Sequence, residues 1–413
     1  MKRFDAGPQE GCDPVPAGCA PPEAPRLRIA LIAGSRHPIR EPFAGGLETL
    51  VFDLSASLRA RGHHVSLFAA EGSVDGDPRY VFPAGGWEAS HLATGDPSMP
   101  ERAFLSEHHA HLQLMLALAG PLGRRFDVVH NHSLHHLPVA MAPTLSVPMV
   151  TTLHTPPTPW LESAIQISDG CGTSFAAVSA HTAGQWAGVL SSRPVVVPNG
   201  VDLRRWPRGP GGRGLLWSGR LVAEKAPHLA IEAARRAGVP LQIAGPVSDP
   251  AYVEREIRPH LGRGVTYLGH LDQAALARAV GAASAVLVTP MWDEPFGLVV
   301  AEALACGTPV VGFSRGGVPE VLSDTRLGRL VGPGDVAAMA DAIPTAVRLD
   351  RAQIRRHAVQ HLSHERMVDR YDSIYRELAG PTTHDAEPVS RWASPISANA
   401  DSQPSMANQP HRR

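Results

Sequence analysis

Residues 285–313 read AVLVTPMWDEPFGLVVAEALACGTPVVGF, and this pattern decides the fold class. The apolar runs at 285–288 and 309–313 each have the length of a buried strand, and Gly297 to Cys306 between them has the length of a helix. Strands that are apolar along their whole length indicate a parallel sheet covered by helices on both faces. The segment therefore predicts a strand–helix–strand unit of an α/β protein.

The same alternation covers most of the chain. In the first half we predict a helix at Leu47 to Arg61 and strands at Leu27 to Ile32, His64 to Ala69, Asp127 to His130, Met149 to Leu153, Phe175 to Val178 and Val195 to Val197. In the second half we predict elements at Gly214 to Ser218, Pro227 to Ala237, Leu241 to Ala244, Tyr252 to Leu261, Val265 to Leu268 and Gln273 to Ala282. Between the two series, Pro198 to Gly214 is rich in Pro, Gly and Arg and is predicted to be a linker. The sequence thus predicts two doubly wound, Rossmann-like domains, residues 26–200 and 201–361, facing each other across a cleft that binds ligands at the carboxyl ends of the strands.

Length and charge agree with this division. A chain of 413 residues exceeds what one hydrophobic core usually serves. The 38 basic and 39 acidic residues nearly cancel, so no global field attracts nucleic acid or an anionic membrane. We expect no nucleic-acid partner, and peripheral membrane contact is left open but not indicated.

The termini and the cysteines favour a cytoplasmic protein. Residues 1–5 lack the apolar core of a secretory signal after their basic pair, and the uncharged stretch after Asp127 is broken by His and Pro. Residues 1–25 and 381–413 are rich in Pro, Gly, Ser and Asn and are predicted to be disordered tails. The cysteines have no metal-ligand spacing and are too few for a disulfide framework. They are Cys12, Cys19, Cys171 and Cys306.

The first chemical signal is a pair of cations in residues 218–227, SGRLVAEKAP. Arg220 and Lys225 follow a predicted strand and precede a predicted helix, so both can project into the cleft. A guanidinium and an ammonium group together suit a diphosphate. Two solvated loop charges are the structural alternative, and this motif alone leaves it open.

The second signal is a pair of carboxylates, Glu294 and Glu302, around the start of the helix at 297–306. One lies before the helix and the other about a turn and a half inside it, so both can face one ligand. A helix N-terminus attracts phosphate, and carboxylates beside it can accept hydrogen bonds from sugar hydroxyls. A paired structural charge is the alternative for Glu302, since an unpaired carboxylate in an apolar helix is costly.

Two glycine-rich stretches add backbone N–H groups near the same place. Ser314 to Glu320 contains a double glycine that is predicted to expose its amides. Gly45 and Gly46 precede the first helix and are predicted to place a second bare helix N-terminus at the cleft.

Together these residues resemble glycosyltransferase family 4, the retaining enzymes of the GT-B fold. The resemblance covers nearly all of residues 26–380, and its most specific part is the Glu294/Glu302 pair with the following CGTPVV at 306–311. It implies a terminal helix that crosses back onto the N-terminal domain, which residues 362–380 fit. The matching N-terminal segments are Asp127 to His130, Thr151 to His154, Val178 to Ser179 and Pro198 to Asp202.

The resemblance also implies roles for single residues. Arg220 and Lys225 would bind the donor diphosphate, and Glu302 the nucleotide ribose. Glu294 would bind the transferred sugar, helped by the amides of Phe296, Gly297 and Leu298, while His154 would orient that sugar. No metal and no cofactor is expected, because the two cations neutralise the diphosphate. The implied activity is transfer of a hexose-type sugar from a UDP-sugar, or second a GDP-sugar, to a hydroxyl of a glycan, lipid or small molecule.

Some aromatic residues do not fit this scheme directly. We interpret the histidines at 130–136 as polar lining or acceptor contacts, with a metal cluster as the less favoured alternative, and residues 107–111, EHHAH, as a polar helix face. Of three tryptophans that could stack on sugars, Trp186 is expected in the core and Trp292 near the ligand, with Trp160 unassigned.

Other functions remain open at this level. A disaccharide phosphorylase or a sugar-nucleotide epimerase could use the same cleft, and phosphate-dependent sugar release or epimerisation without acceptor would reveal them. A non-catalytic sugar-nucleotide-binding protein is expected to have lost some of the four charged residues, all of which are present here.

Overall fold

Two parallel sheets follow one another along the chain in the computed structural model, which describes residues 25–74, 88–98 and 100–380. This confirms the predicted α/β class with two Rossmann-like domains. The tails predicted at 1–25 and 381–413 lie, except for Pro25, outside the described residues.

The N-terminal sheet has helices packed on both of its faces. Its strands are β1 Arg28–Ile32, β2 His64–Phe68, β3 Val128–Asn131, β4 Met149–Leu153, β5 Thr173–Ala177 and β6 Val195–Val196, in the order β2-β1-β3-β4-β5-β6. Its helices are α1 Gly46–Ala60, α2 Arg102–Ala119, α3 Leu137–Met141, α4 Pro159–Ser168 and α5 Ala180–Gln185. Ile29 and Leu31 of β1 share a core with α1, whereas Ala30 and Ile32 share one with α2. Strand β1 is thus buried on both faces, as in doubly wound folds.

The C-terminal sheet repeats this arrangement. Its strands are β7 Leu215–Ser218, β8 Leu241–Ala244, β9 Val265–Tyr267, β10 Ala285–Val288, β11 Val310–Phe313 and β12 Gly328–Val331, in the order β12-β11-β10-β7-β8-β9. Its helices are α6 Pro227–Ala237, α7 Pro250–Tyr252, α8 Gln273–Ala282, α9 Leu298–Ala305, α10 Val318–Val321, α11 Val336–Ala346 and α12 Arg351–His361. Strands β10 and β11 with α9 are the unit predicted from residues 285–313.

The last helix, α13 His364–Ala379, returns to the N-terminal domain. Its buried Met367, Val368, Tyr371 and Tyr375 belong to the core around β1 and α1. The chain therefore ends its described part on the domain where it began, as the resemblance implied.

The helix predicted at Tyr252 to Leu261 is wrong in form. Behind α7 the chain forms a π-helical turn, Val253–Ile257, and then a 3₁₀ turn, Arg258–His260. The reason is Pro259, which has no N–H and whose ring clashes with the preceding turn of an α-helix.

Among the described residues, no helix is both long enough and apolar enough to cross a membrane.

Candidate functional site

The carboxyl ends of both sheets face one cleft of about 570 Å³. All the residues predicted to act on the donor lie along it. They are Gly45, Gly46, His154, Arg220, Lys225, Glu294, Phe296, Gly297, Leu298 and Glu302. The structure thus brings together segments that are more than 200 residues apart in the sequence, while the role of each residue stays a prediction.

Glu302 is a carboxylate without a bonding partner. It lies on α9, is only 8% exposed and lines the cleft, and no side chain or amide among the described residues donates a hydrogen bond to it. Burial, reinforced by the negative charge of Asp53 and opposed by Arg205, raises its pKa to about 8. The structural alternative, a charge paired within the protein, is therefore not what the structure has.

Lys225 and Glu294 form an ion pair in the cleft. The indole Nε1 of Trp292 donates to the same Glu294 oxygen at 3.0 Å, and the Lys225 ammonium lies 4.8 Å from the centre of that indole ring. Trp292 is thus in the cleft, as predicted, and holds both charged groups. A diphosphate entering the cleft would compete with Glu294 for the ammonium.

Arg220 is held more loosely. Its guanidinium donates to Glu224 Oε1 at 3.0 Å, and both side chains are almost half exposed. An exposed pair four residues apart contributes little to stability, so Arg220 can turn towards an anion at small cost. The backbone of the loop that carries both cations is held in place by a hydrogen bond, which the amide of Met291 donates to the carbonyl of Glu224 at 2.8 Å.

Two helix N-termini meet in the cleft. Helix α9 begins after Gly297, which has a left-handed backbone (φ 95°) and offers no side-chain cap, so the first amides of the helix are left for a ligand. Helix α1 begins after Gly45, also without a side-chain cap. A Cβ at Gly46 would lie 3.0 Å from Leu298 Cδ2, so the two helices approach closely here.

The prediction that the double glycine at 316–317 exposes its amides is wrong for Gly317. The amide of Gly317 donates to the carbonyl of Glu294 at 2.6 Å. A Cβ at Gly316 would lie 2.2 Å from that carbonyl oxygen. These glycines let the 314–317 loop pack against the backbone that carries Glu294, so they support the site from behind.

His154 is the cleft end of a buried hydrogen-bonded chain. Its Nε2 lies 2.9 Å from His132 Nδ1, and His132 Nε2 lies 3.1 Å from His130 Nδ1. Tyr375 of α13 bonds His130 Nδ1 at 2.6 Å, and Thr152 bonds its Nε2 at 2.7 Å. Burial lowers the pKa of His154 to about 3 and those of His130 and His132 well below their ordinary value. All three rings are therefore neutral near pH 7, and the bonds couple the proton position on His154 to those on His132 and His130.

These hydrogen-bonded histidines correct the interpretation of residues 130–136 as cleft lining, since His130 and His132 are fully buried. The polar helix face predicted at 107–111 is also wrong at its end, because His111 is fully buried in α2. Trp186 is in the core, as expected.

Direct contacts join the two domains beside the cleft. The carbonyl of Pro295 accepts from Ser179 Oγ at 2.6 Å and from Thr182 Oγ1 at 3.1 Å. The carboxylate of Glu320 accepts from the amides of residues 180 and 181 at the start of α5. The backbone between Glu294 and Phe296 is thus positioned by the N-terminal domain.

Sequence reasoning missed Arg205, which lies in the predicted linker. It donates to Asp53 at 2.5 Å, forms an ion pair with Glu41, and stacks on the rings of Phe43 and Phe52. It thereby ties the linker to α1 and places Asp53 near Glu302. No pattern separates Arg205 from the other arginines of that linker, so only the folded chain identifies it.

Comparisons with known proteins agree with this geometry. Residues 44–205 match the family model described as Glycosyltransferase Family 4, and residues 212–348 match the one described as Glycosyl transferases group 1. A glycogen synthase of Mycobacterium tuberculosis is 30% identical over 391 residues, which cover 84% of this chain and 91% of that protein. A phosphatidyl-myo-inositol mannosyltransferase of Mycobacterium leprae is 28% identical over 78% of this chain and 88% of its own.

Solved structures show the same fold at lower identity. Sucrose-phosphate synthase from Thermosynechococcus elongatus has a TM-score of 0.65 at 22% identity, covering 86% of this chain and 99% of that one. Anabaena HepE in complex with UDP-glucose has a TM-score of 0.64 at 20% identity, covering 84% and 100%. From the two family models and the 30% identical relative, we conclude that the chain belongs to glycosyltransferase family 4 and is a glycosyltransferase of the GT-B fold.

Proposed function

We propose that this glycosyltransferase moves a hexose-type sugar from a UDP-sugar, or second a GDP-sugar, to a hydroxyl of its acceptor, with retention of the anomeric configuration. The observation that carries the proposal is Glu302, a buried carboxylate in the cleft that no described residue satisfies. A buried carboxyl group of this kind needs hydrogen-bond partners. The two ribose hydroxyls of a nucleoside diphosphate supply them.

The cations act on the leaving group in this proposal. Arg220 and Lys225 bind the diphosphate, together with the amides at the start of α9, and stabilise the charge that grows as the sugar–phosphate bond breaks. When the ammonium of Lys225 meets the diphosphate, Glu294 is released to accept a hydroxyl of the transferred sugar. With the leaving group neutralised by the protein, the proposed mechanism uses no catalytic metal and no cofactor.

Retention corresponds to substitution on one face of the sugar. The acceptor oxygen forms the new glycosidic bond on the face from which the diphosphate departs, and an oxygen of that diphosphate takes the acceptor's proton. No protein nucleophile takes part, so catalysis consists of positioning and electrostatics. His154 orients the donor sugar.

A screen of UDP- and GDP-sugars tests this function. Each donor is incubated with the protein and with glycan, lipid and small polyol acceptors, and nucleoside diphosphate release and product mass are followed. We expect release with one class of donor, an α-linked product from an α-donor by NMR, and activity that survives EDTA. Failure of every donor to be consumed or bound, or a β-linked product, would overturn the proposal; complete loss in EDTA that metal restores would overturn its metal-free mechanism.

A further inference from the structure

Histidine rings from two separate segments pack together on the N-terminal domain beside the cleft. His108 lies on α2, whereas His135 and His136 lie between β3 and α3. The ring centres of His135 and His136 are 4.4 Å apart, and that of His108 is 5.9 and 6.0 Å from them. None of these rings takes part in the proposed transfer reaction.

The three rings can direct nitrogens at one point. One ring nitrogen from each of His108, His135 and His136 lies within 4.8 Å of the other two. Bound to one zinc ion at about 2.0–2.1 Å, tetrahedral nitrogens would lie about 3.3–3.4 Å apart. Small rotations of the three side chains would therefore bring the three nitrogens to the separations that a zinc ion requires.

Two of these rings also have unsatisfied nitrogens. His135 Nε2 and His108 Nδ1 are buried and have no hydrogen-bond partner among the described residues. The whole His135 side chain is only 7% exposed, so water has little access to it. Buried polar nitrogens in native proteins nearly always have a partner, which can be an ion. The other nitrogen of His135 accepts the amide of Leu137 at 3.2 Å; a metal on Nε2 would move the ring proton to Nδ1 and displace that contact.

The surroundings favour neutral imidazoles, the form that binds metals. Burial and the neighbouring histidines together lower the pKa of His135 to about 2. Burial also lowers the pKa of His136. The nearby carboxylate of Glu107 is engaged by Arg36 at 2.6 Å, so the cluster itself is made of imidazoles alone. Nitrogen ligands without carboxylates suit zinc, copper or nickel better than magnesium or calcium.

We propose that His108, His135 and His136 bind one divalent transition metal ion of the zinc class, at a site separate from the donor diphosphate. The ion joins α2 to the segment before α3. Leu134 in that segment lines the cleft on the N-terminal side, so the bound metal fixes a wall of the cleft. Its role is structural, and it takes no part in breaking the sugar–phosphate bond.

The test uses the untagged full chain after EDTA treatment and dialysis. Calorimetric titration with Zn²⁺ should show about one tight equivalent, and Co²⁺ should give the visible absorption of a tetrahedral nitrogen site. His108→Gln and His136→Gln should each weaken Zn²⁺ by more than the roughly 10–100-fold typical of losing an outer-shell partner. His109→Gln, one position along the same helix, is the matched control and should bind as the wild type does.

Titration of the same samples with UDP separates this proposal from the function proposed above. We expect the affinity for UDP to change less than about threefold on loading Zn²⁺, in the wild type and in both variants. The absence of tight Zn²⁺ binding, or equal binding by the wild type, His108→Gln and His136→Gln, would overturn the metal site while leaving the donor site untouched.

Discussion

At the scale of single residues, Glu302 shows how a binding site costs stability. Its carboxyl is buried within an apolar helix, and the nearest charge that raises its pKa, Asp53, is negative. Proteins commonly retain destabilising groups where a ligand needs them. If Glu302 is kept for ribose, removing its charge should strengthen the fold and weaken donor binding together.

We therefore predict that Glu302→Gln stabilises the ligand-free protein at alkaline pH. The folded-state pKa of about 8 lies above the ordinary 4.5, so the folded protein keeps a proton that the unfolded chain has lost, and wild-type stability falls as pH rises from about 4.5 through 8. At pH 8.5 the variant should be more stable by up to about 5 kcal/mol, since the pKa rises from 4.5 to about 8 at about 1.4 kcal/mol per unit. At pH 4.5 the difference should nearly vanish.

Urea unfolding at the two pH values measures this difference. The exposed Glu232→Gln, on α6, is a matched control that should show no such pH dependence. Equal stability differences at both pH values would contradict the pKa shift and its cause.

The two cations should differ from Glu302 in kinetics. Arg220→Gln and Lys225→Gln remove groups that face charge growing in the transition state, so each should lower kcat by about 10²–10³-fold and also weaken the donor. Steady-state rates at varied donor concentration measure both effects. Glu224→Gln is the control, because it breaks the ion pair of Arg220 but keeps the cation, and its kcat should change little. Unchanged kcat in both cation variants would contradict their assignment.

At the scale of elements, buried apolar runs were the reliable signal. The bounds of β4, α6, β8, α8 and β10 agree with the prediction at both ends, because polar or turn residues flank each run. Strand β12, with the sequence GRLV, was not predicted, since its polar Arg329 interrupts a short run that pairs at the edge of the sheet. The four charged residues predicted for the site all line the cleft, while their roles stay predictions.

Helix α13 is an element whose importance the sequence indicated only through resemblance. Its Tyr371 hydroxyl bonds Thr152 at 3.1 Å, and its Tyr375 hydroxyl bonds His130 at 2.6 Å. Both hydroxyls are fully buried, so α13 is connected to the histidine chain that ends at His154.

We predict that Tyr375→Phe lowers the free energy of unfolding by about 1–3 kcal/mol, the cost of a buried group left without its hydrogen bond. Urea unfolding measures it, with Ser373→Ala on the exposed face of α13 as the control. Because the variant also disturbs the protonation order of the histidine chain, kcat should fall while donor affinity stays within about threefold. A variant as stable and as active as the wild type would show that the chain of bonds has no such role.

At the scale of the whole molecule, the cleft that holds the proposed donor site is lined by residues of both domains. Gly46 lies against Leu298, and Ser179 and Thr182 hold the carbonyl of Pro295. The sequence predicted each domain and a cleft between them, but it could not predict these contacts. They depend on the relative placement of two sheets, for which no local pattern exists. The ion pairs of Arg205 with Asp53 and Glu41 could not be predicted for the same reason.

The most direct test of the account is calorimetric titration of UDP into the wild type and Glu302→Gln at pH 8.5. Wild type should bind UDP, and at about 100 times the dissociation constant the ligand should add roughly 2.7 kcal/mol of stability. Glu302→Gln should remain folded and bind UDP about 10- to 100-fold more weakly, the loss of a charge-assisted hydrogen bond being about 1.5–3 kcal/mol. Equal affinity for UDP in the two proteins would contradict the placement of the nucleotide ribose on Glu302.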